Sequence, residues 1–117
     1  MIPFELSTNL GHTWFFDLDG TVLDHDGLWN RGKDRVLPGV KELWEAIPQD
    51  DMIIITTARK EMWRVDTERV LKENKLRYDL IIFGLRHGER IVVNDEKPGG
   101  LQTAIAWNVK RNQGFRS

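Results

Sequence analysis

The chain has 117 residues, of which 40% are hydrophobic, and its formal net charge is −1 at pH 7. This length predicts one domain, residues 1–117, with a core of its own, and the balanced charge argues against electrostatic capture of nucleic acid. The chain has no cysteine, signal-peptide pattern or membrane-length apolar run, so we expect a cytoplasmic protein without disulfides, thiol chemistry or membrane contact.

Two acids follow the first predicted strand. Residues 13–16 are β-branched and aromatic, and Asp17, Asp19, Gly20 and Thr21 come directly after them. Side chains two apart in a strand share one face, and open α/β sheets bind ligands at the carboxyl edge of their strands. Like charges so close favour a cation between them, so the pattern indicates a metal site beside a nucleophile or acid. A simple Asp-Gly turn is the alternative.

The next segments alternate between loops, helices and strands. Residues 1–12 could be a disordered start or an edge strand, and residues 23–37 form a polar loop or small hairpin that contains Trp29. An apolar stripe at Val40, Leu43, Trp44 and Ile47 predicts a helix that ends before the proline at position 48. A second buried strand covers residues 52–55, and a helix follows at about residues 60–74.

Two more apolar runs complete the predicted sheet. Residues 80–83 form the third strand and residues 91–93 the fourth, while residues 101–108 fit either a last strand or a short helix. Buried strands that alternate with helices predict an α/β fold with a parallel sheet flanked by helices. We therefore expect a three-layer, Rossmann-like arrangement with helices on both faces of the sheet.

Three of the predicted strands end in residues that suit phosphoryl transfer. Asp17 and Asp19 end the first strand, Thr57 follows the second and Asp95 follows the fourth. In a parallel sheet these ends meet at one edge, whatever their separation in sequence. A phosphoryl group needs positive charge and hydrogen-bond donors, and Mg²⁺ prefers carboxylate, water and phosphate oxygens. Taken singly, Thr57 could cap a helix and Asp95 could shape a turn.

The same residues resemble the motifs of the haloacid dehalogenase superfamily. The run from Asp17 to Thr21 resembles its motif I, Thr57-Ala58-Arg59 resembles motif II, and Asn94-Asp95 resembles motif IV. The resemblance implies a Mg²⁺ site formed by the side chains of Asp17 and Asp95 and the backbone carbonyl of Asp19. Residues 22–37 have room for a flap only, so the chain resembles the small members of the superfamily that lack a separate cap domain.

The resemblance also implies roles for single residues. Asp17 would attack phosphorus, Asp19 would act as acid and then base, and Thr57 would hold phosphoryl oxygens. Gly20, Thr21, Ala58 and Arg59 would line the substrate site, although Arg59 could also be a solvated surface charge. The superfamily has a further basic residue near the nucleophile, for which Lys97 is the first candidate and Arg86 the second.

Together these patterns predict a Mg²⁺-dependent phosphatase that forms an aspartyl-phosphate. Its substrate would be a small-molecule or saccharide phosphomonoester, such as a phosphorylated sugar or polysaccharide precursor. A phosphotransferase of the same fold and a non-catalytic module that binds a phosphorylated ligand are the alternatives. An uncapped site is open to solvent, so we also expect a homo-oligomer in which a neighbour covers the loop around Trp29.

Overall fold

The computed structural model describes residues 1–116 and has a parallel three-stranded sheet at its centre. The strands are β1 (Thr13–Asp17), β2 (Met52–Thr56) and β3 (Leu80–Ile82), in the order β1-β2-β3. The helices are α1 (Gly27–Arg31), α2 (Val40–Ala46) and α3 (Arg64–Glu73), with a 3₁₀ turn at Glu61–Trp63 before α3. Helices therefore separate parallel strands, and the predicted α/β class is confirmed.

One face of the sheet carries the core. Phe16, Ile53, Ile55 and Ile81 are buried there, because alternate strand residues point to the same side. Phe16 also packs against Trp44 of α2, with 4.3 Å between ring centroids. The apolar stripe of α2 therefore faces the buried side of the sheet, as its spacing predicts.

The opposite face of the sheet is only partly covered. Ile54 is buried at its centre, whereas Phe15 is 65% exposed and Met52, Leu80 and Ile82 are exposed as well. These four residues lie on β1, on β3 and at the start of β2. The structure therefore has the predicted α/β class. The described part of the chain does not have helices that cover both faces of the sheet, as the predicted three-layer arrangement requires.

The predicted fourth strand at residues 91–93 is wrong. These residues form no strand, and Ile91 and Val93 are 84% and 90% exposed. The segment is instead followed by a local turn in which Asn94 donates to Thr103 and Glu96 bridges to residue 102. Three apolar residues are too short a run to determine a sheet position against such local contacts.

Other boundaries differ in smaller ways. The helix predicted at residues 60–74 is divided into the 3₁₀ turn and α3, and the loop at residues 23–37 contains α1 and a bridge between Leu23 and Val36. Residues 101–108 form neither of the two expected elements, and residues 1–12 form no strand. Across residues 1–116, no helix combines the length and the apolarity needed to cross a membrane.

Candidate functional site

A cleft lies at the carboxyl end of β1, where the two motif acids are. Its volume is ≈ 510 Å³, within the range of about 300–1,000 Å³ that is typical of small-molecule sites. It is lined by Asp17, Asp19, His25, Asp26, Trp29, Ala58, Arg59, Lys60, Met62, Trp63, His87, Arg90 and Arg111. The β1–β2 register pairs Asp17 with Thr56, so the residues that follow β2 reach the same edge.

Asp17 is the more exposed of the two acids and has only long contacts. Arg90 donates to its Oδ1 and Thr21 donates to its Oδ2, each over 3.5 Å. Burial of the carboxyl raises the pKa of Asp17, and the neighbouring charge of Asp19 raises it further, against the opposing effect of Arg90. The Asp17 carboxyl is therefore available to a ligand in the cleft.

Asp19 is held firmly by side chains that follow β2. The Thr57 hydroxyl donates to its Oδ2 over 2.9 Å. Arg59 donates to its Oδ1 through Nη2 over 2.8 Å and through Nε over 3.1 Å. The hydrogen bonds from the Arg59 guanidinium to this carboxylate are strong because both partners are charged, and together with the Thr57 bond they fix the orientation of the carboxyl group.

Arg59 joins Asp19 to the loop that carries Asp34. Its side chain is 6% exposed, that of Asp34 is 1% exposed, and their closest N–O distance is 2.6 Å. The five N–H groups of the guanidinium donate to Asp19, Asp34 and Thr67. Burial lowers the pKa of Arg59, but its hydrogen bonds to Asp34 and Asp19 outweigh this and raise it overall. The alternative prediction, that Arg59 is a solvated surface charge, is therefore wrong.

The side chain of Thr57 lies beneath the cleft. It is fully buried, and its hydroxyl oxygen accepts the backbone N–H of Arg59 over 3.0 Å while the hydroxyl hydrogen points to Asp19. It therefore makes a local turn after β2 and does not cap α3, which begins at Arg64. In this arrangement Thr57 positions Asp19. Because its single hydroxyl hydrogen is already donated to Asp19, Thr57 cannot also donate to a phosphoryl oxygen as predicted.

The motif I loop is closed by residues near the end of the chain. Gly20 has φ of 89°, and a Cβ there would lie 3.2 Å from the Cγ of Arg111. Asn112 donates its backbone N–H to the carbonyl of Gly20 over 2.9 Å and accepts the backbone N–H of His25 over 2.8 Å. Gly20 thus permits a close approach of the C-terminal residues, and Ala58 is among the residues that line the cleft.

The basic residue beside Asp17 is Arg90, which our sequence reasoning did not select. Lys97 lies in the turn after residue 95, where its backbone N–H bonds to the carbonyl of residue 101. Arg86 donates to a backbone carbonyl, and neither Lys97 nor Arg86 lines the cleft. Arg90 is directed by bonds from its Nη1 to the carbonyls of Arg86 and Gly88. No local pattern identified Arg90, because the strand predicted at residues 91–93 would have placed it at the edge of the sheet opposite Asp17.

The predicted third metal ligand does not reach this cleft. Asp95 lies outside the cleft lining, and its backbone carbonyl accepts the Thr103 hydroxyl over 2.6 Å. Within residues 1–116, no group of three or more His, Cys, Asp or Glu side chains is placed to hold a metal. Asp17, with its long contacts, fits Mg²⁺ bound mainly by water and substrate oxygens, because this ion often takes only one or two carboxylates.

Comparison with protein-family models, with curated proteins and with solved structures finds no match to this chain. The resemblance to the haloacid dehalogenase superfamily therefore rests on the motifs alone.

Proposed function

We propose that this protein hydrolyses phosphomonoesters with Mg²⁺ and that Asp17 is the nucleophile. One observation carries the proposal: a ligand-accessible carboxyl, Asp17, lies beside a second, rigidly held carboxyl, Asp19, at the carboxyl edge of a parallel sheet. Arg90 adds a cation at the same place. A nucleophile, an acid–base group and a positive charge are the parts that hydrolysis through a covalent intermediate requires.

Each side chain has a defined task in this mechanism. An oxygen of Asp17 attacks phosphorus, the bond from phosphorus to the ester oxygen breaks, and Asp19 gives its proton to that oxygen. Asp19 then takes a proton from water, whose oxygen attacks the aspartyl-phosphate and releases phosphate and the free Asp17 carboxylate. Arg90 donates to the phosphoryl oxygens. Bound Mg²⁺ would add positive charge there.

We further propose that the functional form has the three layers that the sequence predicts, because one face of the sheet is incompletely covered. The apolar side chains of Phe15, Leu80 and Ile82 are exposed on that face. A further element packed there would bury them and complete the arrangement.

A phosphatase assay tests the chemistry. We expect phosphate release from an aryl phosphate to need Mg²⁺ and to fall by at least about 10³-fold in Asp17→Asn, because the nucleophile is lost. Asp66→Asn removes an acid on α3, outside the cleft, and serves as the matched control. Equal turnover in Asp17→Asn and the wild type would refute the proposal.

The third layer has a test of its own. Mg²⁺ with a phosphate analogue should protect the side chain of Phe15 from hydroxyl-radical labelling and leave that of Val65, which is exposed on α3, unchanged. Labelling of Phe15 that stays equally strong under these conditions would exclude a covered sheet face.

A module that binds a phosphorylated ligand without turnover is the second candidate. It is favoured because both oxygens of Asp19 and the hydroxyl of Thr57 are already hydrogen-bonded within the protein. Calorimetry distinguishes the two candidates. Tight binding of a phosphomonoester that is recovered intact after long incubation with Mg²⁺ would favour the binding module.

A further inference from the structure

An exposed aromatic wall lines the same cleft as the two acids. It consists of Trp29 on α1 together with Met62 and Trp63 of the 3₁₀ turn. The two indole rings meet edge to face, with 4.6 Å between centroids. Trp29 is 54% exposed and Met62 is 75% exposed. Large apolar side chains that are exposed to solvent next to charged groups in a cleft are typical of a ligand-binding surface.

The contacts that hold α1 in place do not involve the exposed part of the Trp29 ring. The helix has five residues, of which Gly27 is buried against the carbonyl of Lys33 and the side chain of Asp24. The buried Asp24 also pairs with Arg31 in the last turn of α1. These contacts anchor both ends of the helix, so the exposed part of the Trp29 ring is free to contact a ligand.

We propose that the aromatic wall binds the alcohol part of the substrate and that this alcohol carries a ring. The inference rests on the proposed function, since it puts the phosphate at Asp17 and Arg90 and the ring on Trp29. Indole presents a broad, rigid apolar surface that stacks well on flat ring faces, either of a nucleobase or of the C–H side of a sugar. A cleft of ≈ 510 Å³ holds such a group in addition to the phosphate.

Binding measurements with four probes test the inference. The probes are a hexose phosphate, a nucleoside monophosphate, glycerol phosphate and inorganic phosphate, each titrated by calorimetry in the presence of Mg²⁺. Trp29→Ala should weaken binding of a ring-bearing ester about tenfold, because it removes the aromatic face on which the ring stacks. Glycerol phosphate and inorganic phosphate should bind the variant and the wild type equally.

Two further variants keep the test decisive. Trp29→Phe retains an aromatic face and should keep most of the affinity of the wild type. It also serves as the test variant if Trp29→Ala does not fold. Met52→Ala removes an exposed apolar side chain outside the cleft and should change nothing. The probe that responds to Trp29→Ala, sugar or nucleotide, identifies the ring. Equal affinity of Trp29→Ala and the wild type for both ring-bearing probes would overturn the inference.

These outcomes remain distinct from failure of the proposed function. If ring-dependent binding is lost in Trp29→Ala and no ester is hydrolysed, the ligand-binding role of the aromatic wall is supported and the proposed hydrolase activity is refuted. If all three esters are hydrolysed with the same KM by Trp29→Ala and the wild type, the proposed hydrolase activity is supported and the ligand-binding role of the aromatic wall is refuted.

Discussion

Arg59→Ala removes the guanidinium that joins Asp19 to Asp34. In the wild type its N–H groups donate to both carboxylates and to Thr67. After the substitution Asp34, which is 1% exposed, remains buried without its cation, and the buried Thr67 hydroxyl loses a donor. Asp19 keeps only its hydrogen bond from Thr57. The change should therefore affect both stability and activity.

The magnitude follows from the burial of the pair. Removing one partner of a buried ion pair costs about 3–5 kcal/mol, because the other charge is left uncompensated. A whole domain has a stability of only about 5–15 kcal/mol, so this loss should lower the urea midpoint markedly. Arg69→Ala is the control: Arg69 pairs with Asp66 over 3.1 Å on the exposed side of α3, and such pairs contribute about 0–1 kcal/mol.

Urea unfolding followed by tryptophan fluorescence measures both variants, and the phosphatase assay is run on the folded protein. Arg59→Ala should also lower kcat, because Asp19 is no longer oriented. The double variant Arg59→Ala with Asp34→Asn should be less destabilised than the sum of the single changes. If Arg59→Ala is no less stable than Arg69→Ala and only raises KM, Arg59 is a substrate ligand and the structural argument fails.

Three further predictions concern the backbone, acid stability and the nucleophile. Gly39→Ala should cost about 1–3 kcal/mol, because φ is 79° and a Cβ would collide with a carbonyl of the C-terminal tail; Gly32→Ala, at φ of 76° with open space, should cost less by urea unfolding. Burial raises the pKa of Asp51, but hydrogen bonds from an indole and an imidazole outweigh it and lower the pKa below 3.8. Its stabilisation is therefore complete above that value and is lost as pH falls through the lower folded pKa; Asp51→Asn should flatten this acid limb in urea midpoints, and an unchanged limb would contradict the assignment. Burial raises the pKa of Asp17 and Arg90 opposes the rise, so Arg90→Ala should move the acid limb of kcat/KM to higher pH, and a fixed limb would count against Asp17 as nucleophile.

The parts of the fold that were predictable have strong, local signals. β1 and β2 are apolar runs with sharp polar ends, and the stripe of α2 repeats at helical spacing. The parallel sheet then follows from alternation with helices. For the same reason the meeting of Asp17, Asp19 and Thr57 at one edge could be predicted, since it needs only strand ends and strand direction.

The remaining features depend on contacts between distant segments. Nothing local to Arg59 shows that Asp34, 25 residues earlier, accepts its hydrogen bonds. Nothing local to Gly20 shows that Asn112 will bond to its carbonyl. The strand predicted at residues 91–93 is wrong for a related reason. Its local hydrophobicity is clear, but a strand also needs a partner in the sheet, and the sequence does not determine one.

The buried Arg59 links Asp19, the proposed acid–base group, to the loop that carries Trp29. Asp34 lies in the segment between β1 and α2, and Trp29 lies in that same segment on α1. A ligand that moves Trp29 therefore acts on a segment tied through Asp34 and Arg59 to Asp19. Because the pair is buried and its geometry is rigid, a displaced Asp34 must either pull Arg59 with it or lose strong hydrogen bonds. Occupation of the wall and orientation of Asp19 should thus be coupled, and Asp34→Asn should weaken the advantage in kcat that ring-bearing esters have over glycerol phosphate.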